Sequence, residues 1–314
     1  MPDRPRPAPG NIPAVPHANP SDQDIAAWLP TSVPNRRIKY GADPLQFADL
    51  RLPPGPAPES GHPVAVVVHG GGYSPNWNLD NVARLAESLT AVGGVATWNL
   101  EYRRPGQVGG GWPGTWLDIA SGIDHLRTIA SHHRLDLGRV VAVGHSAGGT
   151  FAAWAAARAS IPEGGDLYRP DPLELSGVVL LSGMLDLERE VDDPANPPRH
   201  MKGLMTDGDV EFQTRLSALT PVRYAGHVRV PQRLIVGSLE GDVMIGETQE
   251  YAAVAERDGH ETDVTVDILD GANHFDVIDP RGDAWPVVAG ATFALLGVQV
   301  TPAELTAPRY AETD

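Results

Sequence analysis

The chain contains no cysteine among its 314 residues. That removes disulfides, thiolate catalysis and cysteine-ligated zinc together. Long apolar runs are also missing: no stretch approaches the length needed to span a bilayer, and the first 20 residues lack the apolar core of a secretion signal. A cytoplasmic location is therefore expected. Basic residues are scarce, 24 against 40 acidic ones for a formal charge of −16, and none gather in a long block. Nucleic acid and anionic membrane surfaces are thus poor partners, and the acidity reads as solubility.

What the chain does have is a globular composition, 41% hydrophobic and 20% charged, sufficient for one large α/β domain carrying an insertion. Prolines recur through residues 1–36, which favours an extended arm over a helix. From residue 37 to about 298 short Val-, Leu- and Ile-rich segments alternate with Ala-rich ones. Strands are expected at Phe47–Leu52, Val64–His69, Val95–Leu100, Val140–Gly144, Val178–Ser182, Leu234–Gly237 and Val264–Leu269, with helices near 79–91, 117–130, 147–159, 246–258 and 285–296. Most of the strand segments are continuous apolar runs, as strands covered on both faces require, so the pattern predicts a mostly parallel sheet of about eight strands with helices on each side. Residues 183–229 break the rhythm and are expected to form a short cap over the carboxyl edge of the sheet, where ligands of open α/β sheets bind. Residues 299–314 read as a tail.

Two glycine-rich turns carry the chemistry. Gly144-His145-Ser146-Ala147-Gly148 follows the strand at 140–144 and precedes a helix-forming run. A serine on such a tight strand-to-helix turn projects its hydroxyl outward as a nucleophile. His69-Gly70-Gly71-Gly72-Tyr73 follows the strand at 64–69. Its glycines leave backbone N–H groups available, and acyl transfer needs such donors where an oxyanion develops, so Gly71, Gly72 and Ala147 are the candidates for that hole. A phosphate-binding reading of the Ser146 turn lacks both a P-loop lysine and a dinucleotide fingerprint.

Serine needs a base, and there are 11 histidines. His274 stands just after the last expected strand, in a loop that opens on the same sheet edge as Ser146. His125, His132 and His133 fall in or beside a helix and read as surface residues; His69 and His145 sit within the two motif turns and are expected to hold backbone. The base must in turn be oriented by a carboxylate. After the strand at 234–237 come Glu240 and Asp242, of which Glu240, three residues past Gly237, is favoured and Asp242 is the alternative. The chain order Ser146, acid, His274 is that of α/β-hydrolases.

HGGGY, GHSAGG, GSLE and NHF together resemble α/β-hydrolases of the hormone-sensitive-lipase-type carboxylesterase and kynurenine formamidase groups, over about residues 37–298. WNLEYRR and LLSGMLDL are similar to segments of the formamidase-like branch. The resemblance implies the α/β-hydrolase fold and hydrolysis of a small carboxylic ester, with an aryl formamide as the alternative substrate and no metal or organic cofactor. Two departures stand out: Tyr73 follows a third glycine where that branch carries a bulky aromatic after two, and Glu240 stands where many relatives have aspartate. A scaffold that binds ligand without turnover is the rival reading. Trp77, Trp112, Trp116 and Tyr73 lie in or near loops of the carboxyl edge, where they either wall an apolar pocket or, for any single tryptophan the favoured reading, simply pack the loops, while Glu101 and Asp186, each at a strand end, read as structural hydrogen-bonding residues.

Overall fold

The structure is a computed structural model describing residues 29–192, 209–257 and 262–306. Most of the expected proline-rich arm (1–28), the middle of the expected cap (193–208) and the end of the tail (307–314) lie outside the described residues.

Eight strands form one sheet: β1 (Arg36–Lys39), β2 (Phe47–Arg51), β3 (His62–Val68), β4 (Ala96–Leu100), β5 (Leu135–His145), β6 (Gly177–Leu181), β7 (Gln232–Gly237) and β8 (Val264–Leu269). Their spatial order is β1-β2-β4-β3-β5-β6-β7-β8, and only the pairings made by β2 are antiparallel. The seven expected strands are present. β1 is the addition; its sequence, RRIK, is polar and largely exposed, as an edge strand tolerates.

Successive residues of a strand face opposite sides of the sheet, and here both sides are dry. Val64, Val66 and Val68 of β3 join one apolar core while Ala65 and Val67 join the other. The same alternation divides Val140 and Ala142 from Val141 and Val143 in β5. This two-sided burial is the physical reason the strands read as unbroken apolar runs. The first core is covered by α2 (Gly114–Asp124), α3 (Leu126–His133), α4 (Ala147–Ala157) and α8 (Gly241–Arg257), the second by α1 (Ala83–Gly93) and α9 (Trp285–Leu295).

The helix expected over 117–130 is two helices, starting earlier at Gly114 and dividing at His125. The expected irregular insertion contains α5 (Leu187–Asp192), α6 (Asp209–Leu219) and α7 (Pro221–Tyr224). Leu216 and Leu219 of α6 are buried in the first core, so this segment is partly knitted into the domain. A short helix, α10 (Pro302–Thr306), occupies part of the expected tail.

Because β4 lies on one side of β3 and β5 on the other, the chain reverses its direction across the sheet between them. A crevice opens at the carboxyl ends of the strands at such a point. The His69 turn leaves β3 there, and the Ser146 turn leaves β5.

Candidate active site

Ser146 links β5 to α4 with φ 54° and ψ −123°, a region that non-glycine residues occupy only when the surroundings enforce it, at roughly 1–3 kcal/mol. The surroundings are specific. The Ser146 N–H donates to the Leu181 carbonyl at 2.9 Å, and the Ser146 carbonyl accepts from Gly149 at 2.8 Å and from Met184 at 3.2 Å. Neighbouring glycines make the close approach possible: a Cβ on Gly148 would lie 2.2 Å from the Val68 carbonyl oxygen, and one on Gly144 would lie 2.2 Å from that of Gly148. Any side chain at either position would push the turn off the sheet.

The oxyanion candidates occupy facing turns. Gly71, Gly72 and Tyr73 have consecutive positive φ values of 114°, 56° and 61°, a conformation that glycine adopts without strain. Trp77 is packed against Gly71, closely enough that a Cβ there would meet its indole at 2.3 Å. Ala147 opens α4, where the first N–H groups of a helix have no intrahelical partner. A buried chain of hydroxyls joins the two turns: the Tyr73 hydroxyl lies 2.9 Å from Thr150 Oγ1, which donates to the Met184 carbonyl at 2.7 Å.

His274 lies in the loop after β8, and its Nδ1 is 2.6 Å from Glu240 Oε2. The other oxygen of Glu240 accepts from the Ser182 hydroxyl at 2.5 Å and the Gly237 N–H at 2.8 Å. Burial alone would raise the Glu240 carboxyl, but His274 and these two donors outweigh it and hold the group below the usual carboxylate range. Asp242 is exposed at the first turn of α8. The structure therefore brings Glu240 to His274 and leaves Asp242 facing outward. Among the described residues Ser146 Oγ is in no hydrogen bond; such nucleophile–base contacts are commonly long before a substrate arrives.

Further residues support these groups, and one of them, Ser182, has no signal in the sequence. Ser182, at the end of β6, has φ 47° and is seen only through its bond to Glu240, 58 residues away. His145 Nε2 donates to the backbone carbonyl of His274 at 2.9 Å, tying the base loop to the serine turn. Desolvation, reinforced by His274, pushes His145 well below the ordinary imidazole range, so it is neutral. Glu101 is buried between His69 and Arg104. Burial opposes its charge, yet Arg104 foremost, with the Tyr102 N–H among its donors, draws its carboxyl down to about 2. It and Asp186, whose carboxylate accepts from the Arg189 N–H at 3.1 Å, have the structural roles expected of them.

The aromatic residues divide. Trp116 is in the core on α2, its ring edge-on to Phe151 and Trp154 at 4.9 and 5.2 Å, because it shares an inward helical face with Ile119 and Ile123. Tyr73 and Trp77 are buried and brace the turns. Trp112 alone of the four is partly exposed; Arg215 of α6 lies over its ring at 5.1 Å. His132 is exposed, whereas His125 is half-buried and stacks on Trp98.

Among solved structures, the chain is similar to an inhibited esterase B from Lactobacillus rhamnosis, with TM-score 0.69 and 22% identity over 88% of this chain and 90% of that one. A truncated carbohydrate esterase from gut microbiota gives 0.68 and 16% over 83% and 95%. A propionate-bound thermophilic esterase from the planctomycete Thermogutta terrifontis gives 0.62 and 21% over 83% and 92%. At these identities the likeness speaks to the fold, which is that of the α/β-hydrolases. No curated protein matches the chain. Residues 48–253, more than half of the chain and including Ser146 and Glu240, match the BD-FAE family model; the protein belongs to the BD-FAE family.

Proposed function

We propose that this protein is a serine hydrolase of small carboxylic esters, acting through an acyl-enzyme on Ser146 with His274 as base and Glu240 as the acid that orients it. The observation that carries the reading is the 2.6 Å contact between Glu240 Oε2 and His274 Nδ1, made on the sheet edge where the strained Ser146 turn emerges. A carboxylate that accepts from Nδ1 fixes the imidazole tautomer with Nε2 bare, the form able to take a proton from a serine hydroxyl.

In the first step Ser146 Oγ attacks the ester carbonyl as its proton passes to His274 Nε2, and the oxyanion that forms is met by the N–H groups of Gly71, Gly72 and Ala147. The protonated imidazole, stabilised by ionised Glu240, then gives its proton to the departing alcohol. Water repeats the sequence on the acyl-enzyme with the same base and returns the serine.

The names of the structural neighbours, esterases and a carbohydrate esterase, support an ester as substrate. Among the described residues no helix is long and apolar enough to cross a membrane, and the reading includes action in the cytoplasm on a freely diffusing molecule. The test is a side-by-side panel of p-nitrophenyl esters and N-formylkynurenine with an active-site-directed fluorophosphonate as titrant. Ester turnover, abolished in step with labelling of Ser146, supports the reading. Turnover of the formamide alone moves the substrate class to amides, and absence of labelling removes the activated serine.

A further inference from the structure

Behind the His69 turn lies a buried group of charges that the acyl-transfer chemistry does not itself use. His69 is fully buried and stacks on Tyr102 with ring centroids 4.3 Å apart. Its Nδ1 is 2.8 Å from the Gly70 carbonyl oxygen, which can only accept, so Nδ1 carries a proton. Its Nε2 is 3.2 Å from Arg104 Nη1 and 3.2 Å from Glu101 Oε1, while Arg104 also donates to Glu101 Oε1. Glu101 is fixed besides by the N–H groups of Tyr102 at 2.9 Å and Leu79 at 3.2 Å. A guanidinium always donates. With Arg104 beside it, Nε2 is best satisfied bare, as an acceptor, and the single ring proton belongs on Nδ1.

The Gly70 carbonyl and the Gly71 N–H are two ends of one planar trans peptide and point in opposite directions. A hydrogen bond that holds the carbonyl therefore sets the direction of the N–H. The Tyr102 hydroxyl does the same one residue earlier, donating to the His69 carbonyl at 2.7 Å. We propose that Arg104 is a positioning residue for the oxyanion hole: set between Glu101 and His69, it keeps the imidazole proton on Nδ1, where it grips the Gly70 carbonyl and aims the Gly71 N–H at the reacting carbonyl. Without Arg104, the nearest partner of Nε2 is the Glu101 carboxylate. The ring proton then moves to Nε2 to bond it, and the Gly70 carbonyl loses its donor.

This inference rests on the reading of Gly71 as an oxyanion donor, and one of its measurements is independent of turnover. Nitrogen-15 NMR of histidine-labelled protein, recorded well above the ordinary imidazole range so that each neutral ring holds one proton, should show His69 protonated at Nδ1 in the wild type and in Arg104→Lys, and at Nε2 in Arg104→Met. His69→Gln in parallel assigns the signal. An Nε2–H tautomer in the wild type, or an Nδ1–H tautomer persisting in folded Arg104→Met, overturns the proposal.

In kinetics, Arg104→Met should lower kcat at least 10-fold with KM within about 2-fold, and weaken phenylboronic acid, whose tetrahedral adduct occupies the oxyanion hole, by the same factor as kcat/KM. Arg104→Lys should recover most of both. Loss of kcat with unchanged boronate affinity would place the effect elsewhere and also overturn the proposal. Should Arg104→Met fail to fold, the wild-type tautomer and the lysine variant decide. If the Ser146→Ala enzyme keeps its activity, it is the hydrolase reading that has failed, and the tautomer result stands apart from it.

Discussion

Glu240 and His274, 34 residues apart in the chain, meet through Oε2 and Nδ1 at 2.6 Å, while Asp242, two residues beyond Glu240, is exposed at the start of α8. The 3-10 turn Ser238–Glu240 that ends β7 folds the Glu240 side chain back on the Gly237 N–H. One more turn of chain carries Asp242 around to the outside.

Glu240→Gln should therefore lower kcat by about 10³- to 10⁴-fold, because an amide stabilises neither the required tautomer nor the imidazolium. Asp242→Asn should stay within about 2-fold of wild type. Steady-state kinetics on a p-nitrophenyl ester decide the matter, and the reverse pattern would move the acid to Asp242.

The Glu101 carboxyl, drawn from 4.5 to about 2 in the folded protein, makes stability depend on acid. A depressed folded-state value means that the contribution is fully present above pH 4.5 and is lost as pH falls toward 2, with a size on the order of 3 kcal/mol. Thermal unfolding of wild type and Glu101→Gln should differ most above pH 4.5 and converge toward pH 2. Parallel Tm curves across that interval would contradict the assignment.

His145→Leu removes the donor that holds the His274 carbonyl and leaves a buried acceptor unmet, which should cost about 1–3 kcal/mol in urea unfolding. Activity should fall with it through kcat, since the base loop is no longer tied to the serine turn. Unchanged stability and kcat would show that the bond contributes nothing.

Much of this arrangement was legible in the sequence because it is local. A strand buried on both faces is mostly apolar, so β3, β5 and β6 announce themselves, and Gly144, Ser146 and Gly148 stand between a strand and a helix-forming run, where a tight turn is required. His274, and the pair Glu240 and Asp242, stand out as candidates because each follows a strand whose end is readable, but nothing local decides between the two acids. What was not legible depends on contacts between distant segments. Ser182 is an ordinary strand-end serine until Glu240 arrives against it, and Arg104 looks like a loop arginine until β3 and β4 pair and bury it beside His69. β1 carries no apolar pattern, since an exposed edge asks for none. Trp116 packs in the core, and its sequence leaves packing and pocket wall both open because an aromatic near a loop has no local mark that tells a helix's inner face from a crevice.

Substrate size follows from the segment at 183–229. Its first residues lie directly on the serine turn, with Met184 N–H on the Ser146 carbonyl at 3.2 Å, and α6 folds back into the core; we propose that the segment limits the site to short acyl groups. Acetyl to butyryl esters should be turned over well and palmitoyl esters hardly at all, each misplaced methylene costing about 1–3 kcal/mol. Equal kcat/KM for butyryl and palmitoyl esters, measured below micelle concentrations, would show that this segment does not restrict the acyl group.

The most direct test of the central claim is the kcat of Ser146→Ala on the best ester of the panel, measured on protein shown by circular dichroism to be folded. Loss of turnover by about 10⁴-fold or more, with the His274→Ala and double variants little different, is the result expected of residues that act as one unit. Turnover near that of the wild type in folded Ser146→Ala would contradict the account.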